Sequence, residues 1–537
     1  MSGRRGPIRV TATAALAGRW RRCGAALALW AGCASVTAAD GPLWFDAGRP
    51  SAQAREAVEL LAAAASHGLE PQDYDALALR QAVVQAAQGA APAAIAPLEQ
   101  ALTAAMRRYL SDLHHGRIDP RQIHPNFAPP LREAFDAAAV LQSALASGRL
   151  LEAEREARPR LPLYERLREA LARYRELAGH AAWQEPLRTL PGARKGSVGK
   201  LEPGQPYEGL ALLAQRLVAV GDLAPQAPLP LRYEGPLVEG VAAFQQRHGL
   251  SPDGVIGTAT WVALHVAPAA RVRQIELALE RLRWTPLAQA PRMIVINIPE
   301  FVLRAYEVQD GRIQVRQEMK VIVGKAMDTR TPLIMEPMRF IEFSPYWNVP
   351  PSIARGELAP RLRRDPGYFA QQGFEFVAAD GGVSSALSAA QLDAVLAGRS
   401  RIRQRSGPHN ALGDIKFGFP NRDNIYLHHT PSIGLFGRER RDFSHGCIRV
   451  EAPVALAQFV LQAMPEWSEE RIRAAMAAGT SATLRLSEPL PVLIAYGTTL
   501  VKGGRTYFFD DIYGHDRRLD AALQGRTLGS LLTQDRP

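Results

Sequence analysis

The hydrophobic period of this chain changes part-way along, and that change constrains its fold more than any other feature. From Ser51 to about Ala182 apolar residues recur at helical spacing: Val58, Leu61, Ala62 and Ala65 share one face, and Leu102, Met106, Leu110 and Leu113 form a second stripe. Beyond an apolar run at 293–298, Ile313, Val315, Met319, Val321 and Val323 alternate with polar residues, which is the period of a strand. Residues 340–343, 415–419 and 425–428 continue that pattern, and 492–496 and 506–509 read as closing strands. Helical text followed by strand text predicts a multidomain α+β protein. A length of 537 residues exceeds what one core supports, so about three domains are expected.

The breaks in the pattern place the boundaries. Gly68 to Pro71 and Gly116 to Pro120 read as helix stops followed by turns. His114 and His115 sit at the second stop, where the lack of a carboxylate or third ligand at metal spacing favours a solvated loop over a metal site. Between Leu190 and Pro268 an amphipathic helix ends at Gly249, a turn follows on Pro252-Asp253-Gly254, and a new helix starts near Thr258. Within the strand region, Pro350 to Arg399 reverts to helix-like text, with Ala389, Leu392, Val395 and Leu396 in register. An insertion of that length in a β domain is often a lid or binding loop.

The first 39 residues carry six arginines and no acid, then an apolar run from Gly24 to Val36 and small residues at Thr37-Ala38-Ala39. That is the layout of a secretory signal. The run is shorter than the roughly 20 residues needed to span a bilayer, although an uncleaved N-terminal anchor is the alternative. The formal charge of +11 falls by six to +5 for a chain starting near Asp40. This modest excess suits an anionic polymer or a membrane surface, and no basic run points to nucleic acid. Of three cysteines, Cys23 and Cys33 lie in the signal, and Trp30 stands where lipidation of Cys33 would favour Leu. Cys447 is left alone in an oxidising compartment, unable to form an internal disulfide.

The neighbours of Cys447 give it a chemistry. A cysteine nucleophile needs a base within reach, because a free thiol is only slightly ionised at neutral pH. Candidates are His428 and His429, upstream in Ile425-Tyr-Leu-His-His-Thr-Pro, and His445, two residues before the thiol. Alternation puts Tyr426 and His428 on one face of a strand and His429 on the other, so His428 faces the site if Leu427 enters the core. Gly446 frees the backbone to approach a reacting carbonyl, with N–H groups near Gly446 and Cys447 as oxyanion donors. Pro453 suits the first turn of a helix running to Met464, and Asp442 with Arg449 reads as a pair that orders the loop.

Two stretches resemble known families. Phe244, Gln245, Gly249, Leu250, Asp253, Gly254, Gly257 and Thr260 match the series of the small three-helix peptidoglycan-binding domain. Ser444-His-Gly-Cys-Ile-Arg-Val, with His428 nineteen residues before the cysteine, resembles the L,D-transpeptidase (YkuD-type) catalytic domain. The likeness extends through Arg273-Gln-Ile-Glu, Val321-Ile-Val-Gly-Lys, Phe343-Ser-Pro-Tyr-Trp-Asn-Val-Pro-Pro, Asn410-Ala-Leu-Gly and Tyr507-Phe-Phe-Asp-Asp-Ile-Tyr. It is similar to the large Gram-negative periplasmic members.

The resemblance implies an export signal at 1–39, a helical scaffold domain at 40–189 and a peptidoglycan-binding domain at 190–268. A mainly-β catalytic domain at 269–515, with a helical capping subdomain inserted at about 350–400, and a tail at 516–537 complete the expectation. It further implies that Cys447 attacks a tetrapeptide stem, expels D-alanine, and passes the acyl group to the diaminopimelate amine of a second stem, giving a 3→3 cross-link. His428 would be the base and Gly446 part of the oxyanion hole, with Tyr426, Ser444, His445 and Arg449 contacting or orienting substrate. No metal or organic cofactor is implied. Carbapenem-type inhibitors would acylate the thiol, and cell-wall synthesis proteins are candidate partners. His429 occupies a position that is often acidic in these large enzymes. The same residues would serve a thiol L,D-carboxypeptidase with water as acceptor, and a non-catalytic peptidoglycan-binding scaffold is the reading from another class.

Overall fold

The computed structural model describes residues 44–89, 91–127, 134–225, 229–285, 290–310, 312–327 and 329–525. The export signal expected at 1–39, and residues 526–537 of the expected tail, lie outside them. The described residues form one compact unit.

Helices fill its first part, as their stripes require. The Ser51 hydroxyl accepts the Ala54 N–H and starts the helix Ala52–Ala62, which buries Ala54, Ala57, Val58 and Leu61. The long helix Pro92–His115 buries Leu102, Met106, Tyr109, Leu110 and Leu113 against the same cluster. His114 and His115 close this helix instead of starting a loop. The chain leaves it only at Gly116, φ +83°, and the His114 ring stacks on Phe135 with centroids 4.3 Å apart.

The middle region is pinned by one buried amide. Gln245 Nε2 donates to Asp253 Oδ1 (3.0 Å), the Val255 carbonyl (2.9 Å) and Thr260 Oγ1 (3.1 Å), and its Oε1 accepts the Gly254 N–H (2.8 Å). The spaced residues of this motif are therefore one internal network that closes the turn between the helices Pro236–Arg247 and Thr258–His265. The helix Pro268–Trp284 then ties the helical part to the β part: Gln274 Nε2 donates to the carbonyls of Thr498 and Phe509, each at 3.0 Å.

Among the described residues nine strands form the main sheet: β1 Arg292–Asn297, β2 Val302–Gln309, β3 Arg312–Gly324, β4 Ile334–Phe343, β5 Ile415–Gly418, β6 Leu427–His428, β7 Asp442–Ser444, β8 Ile448–Val450 and β9 Ala482–Ala495. Their order is β7-β3-β8-β6-β5-β4-β9-β1-β2, and β2 also pairs with β3, so the sheet closes on itself and β7 lies beside β3. Closure leaves few free edges. The pairs β9–β1, β6–β8 and β7–β3 are parallel and the others antiparallel.

The expected insertion is present and also carries strands. Trp347–Asn348, Phe374–Ala378, Val383–Ser384 and Ser400–Gln404 make a separate four-stranded sheet, packed with Leu358, Phe369, Phe376 and Ile402. The strand Phe374–Ala378 has no alternation to read, because Phe374 to Val377 are all buried. The closing strand expected at 506–509 instead pairs with Thr499–Lys502 as an isolated ribbon, and the helix expected to reach Met464 ends at Val460. Among the described residues no helix is long and apolar enough to cross a membrane.

Candidate active site

The short strands β6 and β8 set the site. They run parallel, with Leu427 opposite Ile448 and His428 opposite Arg449, and the Ile448 N–H donates to the Tyr426 carbonyl at 3.1 Å. Parallel neighbours need a crossover of roughly a dozen residues or more, which explains why His428 and Cys447 stand so far apart in sequence. Leu427 and Ile448 are fully buried in the core of the sheet. Tyr426 and His428 therefore share the other face, their ring centroids 5.7 Å apart.

The turn carrying the thiol is clamped from within. Gly446 has φ +112°, a conformation that side chains rarely adopt, and a Cβ there would meet Ile425 Cδ1 at 3.3 Å. Ser444 Oγ accepts the Gly446 N–H (3.1 Å) and donates to the Cys447 carbonyl (2.5 Å). Thr331 Oγ1 accepts the Gly324 N–H (2.9 Å) and donates to the Gly446 carbonyl (2.7 Å), while Thr329 Oγ1 donates to the Ser444 carbonyl (3.0 Å). On the opposite wall Asn424 holds φ +53°, braced by the Asn421 side chain, and its carbonyl lies 3.7 Å from the Cys447 sulfur.

Residues 291–484 match the family model of the L,D-transpeptidase catalytic domain, and they contain this whole arrangement. The chain carries an L,D-transpeptidase domain. A "Putative peptidoglycan binding domain" matches at 207–264 and a "Scaffold domain" at 37–171. A curated protein of Haemophilus influenzae, named "Putative L,D-transpeptidase", is 32% identical over 247 residues, which is 46% of this chain and 49% of that protein. The chain thus spans about half the length of the curated relative it matches. The crystal structure of an L,D-transpeptidase (residues 123–326) from Xylanimonas cellulosilytica is 15% identical and covers 55% of this chain and 96% of its own, with a TM-score of 0.17. That score supports no argument about the fold.

Within the transpeptidase domain the imidazole of His428 has a defined tautomer. Its Nδ1 lies 2.5 Å from the His429 carbonyl, which can only accept, so Nδ1 carries the proton and Nε2 keeps the lone pair. Burial first, and then the Arg449 charge, lower its pKa to about 3, so it is neutral at physiological pH. Burial raises the Cys447 pKa, against the opposing effects of Tyr426, Lys416 and Arg449. The resting pair is a neutral thiol and a neutral base. No hydrogen bond joins the two among the described residues, as is common before substrate tightens a site.

Arg449 acts on both groups in the useful direction, since its charge favours a thiolate and a neutral imidazole together. The expected pairing of Arg449 with Asp442 does not form. Asp442 is held by Arg440 (2.6 and 2.9 Å) and the Ala326 N–H (3.2 Å), because β7 and β8 lie on opposite sides of β3. Ser444, expected to contact substrate, is buried and its hydroxyl is used up within the turn. For the oxyanion, the Gly446 N–H is likewise engaged, whereas the Cys447 N–H donates to no group among the described residues.

The other two histidines are occupied elsewhere. His429 Nδ1 lies 2.7 Å from Asp414 Oδ1, and both line a cavity of about 290 Å³ with Ser344 and Met476. His445 Nε2 lies 2.6 Å from Glu357 Oε1, a residue of the insertion. Asp414, Asn421, Thr329, Thr331 and Glu357 all escaped sequence reasoning. Only Asn421 carried a signal, as a turn-former just before the strand. Among the described residues no cluster of His, Cys, Asp and Glu could hold a metal ion.

Proposed function

We propose that the chain is a peptidoglycan L,D-transpeptidase of the periplasm, exported by residues 1–39, that forms 3→3 cross-links. What supports this reading is that Cys447 directly precedes β8, the strand paired with the one that carries His428, whose imidazole is neutral with its proton on Nδ1. His428 Nε2 takes the thiol proton as sulfur attacks the carbonyl of the third stem residue, and the Cys447 N–H stabilises the oxyanion. The proton then passes to the departing D-alanine amine, leaving a thioester. The diaminopimelate amine of a second stem loses its proton to His428 and attacks the thioester, which restores the thiol. The same sulfur would open a carbapenem ring. The module at 207–264 would hold the enzyme on its polymer.

The test is incubation of the protein and Cys447→Ala with tetrapeptide muropeptides, followed by mass spectrometry. Cysteine-dependent dimers linked between diaminopimelates are expected. Cysteine-dependent tripeptides alone would make it a carboxypeptidase, and turnover that survives Cys447→Ala would remove the thiol from the mechanism.

A further inference from the structure

A second cavity, of about 490 Å³, lies between the helices Pro162–Leu177 and Pro268–Trp284 and the outer face of β1, β2, β3 and β9. None of the residues of the thiol site lines it. Its walls explain a peculiarity of the strands: Val295, Val308 and Ile313 put apolar side chains on the face that an antiparallel sheet usually gives to water. Size and lining match small-molecule sites, which hold roughly 300–1,000 Å³ and are mostly apolar with a few convergent polar groups.

Three lining residues, Arg281, Trp284 and Thr499, carry buried polar atoms without a partner among the described residues. Arg281 is 7% exposed, and its Nη1 donates to Asp516. Its Nε and Nη2 are buried and hydrogen-bonded to nothing among the described residues. Those two nitrogens form the side-on edge of a guanidinium, the fork that grips a carboxylate or phosphate with two parallel bonds. Thr499 is 1% exposed, and its hydroxyl is also without a partner among the described residues. The Arg281 guanidinium lies over the Tyr496 ring, 5.4 Å from its centroid, yet its Nε–Nη2 edge has no acceptor among the described residues, and a carboxylate or phosphate would supply one. The other charged side chains of the lining are Arg166, Arg304, Lys502 and Glu318, an excess of cations. Arg304 is committed to Glu300 and Glu318, Lys502 to Glu300, and Arg166 is exposed to solvent, which leaves the Arg281 edge as the buried anchor.

We infer that this cavity binds a single-chain anionic amphiphile, with its carboxylate or phosphate head on Arg281 and Thr499 and its chain along Leu282, Val295 and Val501. The site is independent of the thiol chemistry and places a lipid-derived ligand between the helical part and the sheet.

Delipidated full-length protein is titrated calorimetrically with palmitate, 1-hexadecanol, a lysophosphatidylglycerol and inorganic phosphate. Saturable one-to-one binding of palmitate or the lysolipid is expected, the tighter of the two naming the source of the head group. Hexadecanol should bind at least tenfold more weakly, and inorganic phosphate should not compete at equal concentration. Ala278→Phe, which projects a ring from the helical wall, should abolish binding while carbapenem acylation of Cys447 stays unchanged. Arg281→Lys, which keeps the charge beside Asp516 but loses the fork, should cut palmitate affinity at least tenfold and leave hexadecanol unaffected. Absence of saturable binding by the wild type, equal binding of palmitate and hexadecanol, or full binding by a folded Ala278→Phe variant would each overturn the proposal.

Discussion

The floor of the thiol site and the inserted subdomain beside it are held by opposite kinds of contact. In the floor, Thr331 is fully buried and bridges Gly324 to Gly446, Ser444 closes the turn on itself, and His428 is fixed by its neighbour's carbonyl. These bonds are short, shielded and mostly between neutral groups. The insertion meets the same turn through the His445–Glu357 pair, in which the Glu357 side chain is 57% exposed. Buried hydrogen bonds are costly to break, whereas exposed ion pairs contribute little. On that contrast the floor is the firmly held element, and the His445–Glu357 pair is a weak tie to the insertion.

The largest effect should come from the base. His428→Ala removes the imidazole beside Tyr426, and loss of a general base typically lowers rates by about 10²–10⁴-fold. The rate of Cys447 acylation by a carbapenem measures this directly. A variant that acylates at the wild-type rate would take His428 out of the mechanism and leave the floor as mere packing.

Acid should act on the fold through its buried histidines, of which His428 lies in the floor. The pKa of His428 is lowered to about 3, as is that of His124, while His248 and His515 are held well below the ordinary value of 6.5. Below pH 6.5 the unfolded chain takes up protons that the folded chain refuses, so stability is full above that value and lost as pH falls toward 3. At pH 5 His428 and His124 cost about 2 kcal/mol each, from about 1.5 pH units at 1.36 kcal/mol each, and His248 and His515 act in the same direction. Thermal melts should show a marked fall in Tm from pH 7 to 5 and little change from pH 7 to 8. A Tm constant from pH 7 to 5 would contradict the burial of these rings.

How much of this could be read from sequence follows the same division. Cys447, His428 and Gly446 were legible because a lone thiol, a strand-borne histidine and a glycine at a sharp turn each have a local cause. The parallel pairing of β6 with β8 was not, since two-residue and three-residue strands leave no period to detect. Without that pairing, Arg449 reads as a partner for Asp442 instead of a charge beside His428. Thr331 braces the Gly446 carbonyl across the fold, and no spacing announces such a contact. In the insertion the strand Phe374–Ala378 was hidden by burial on both faces and two others are only two residues long, although its helices and its position were clear.

The buried clamp can be weighed against the exposed one. Thr331→Val keeps shape but strands the Gly446 carbonyl and the Gly324 N–H, at about 1–3 kcal/mol of stability. Chemical denaturation should show that loss, together with slower acylation as the turn loosens. An unchanged midpoint would mean that the Thr331 bridge is replaceable and the floor softer than its bonds suggest.

Glu357→Gln should have the smallest effect and the most specific. The pair with His445 is exposed, so its removal should change stability by less than about 1 kcal/mol. The amide can still accept a hydrogen bond, which preserves packing while removing the charge. If the insertion only shields the site, acylation by a small carbapenem should be unaltered, because that ligand reaches Cys447 without displacing the subdomain. A stem peptide is larger and must share the space, so the variant should change KM for muropeptides while kcat holds. A drop in kcat for both ligands would instead place Glu357 in the floor's own network, and the division between a firmly held floor and a weakly tied insertion would fail.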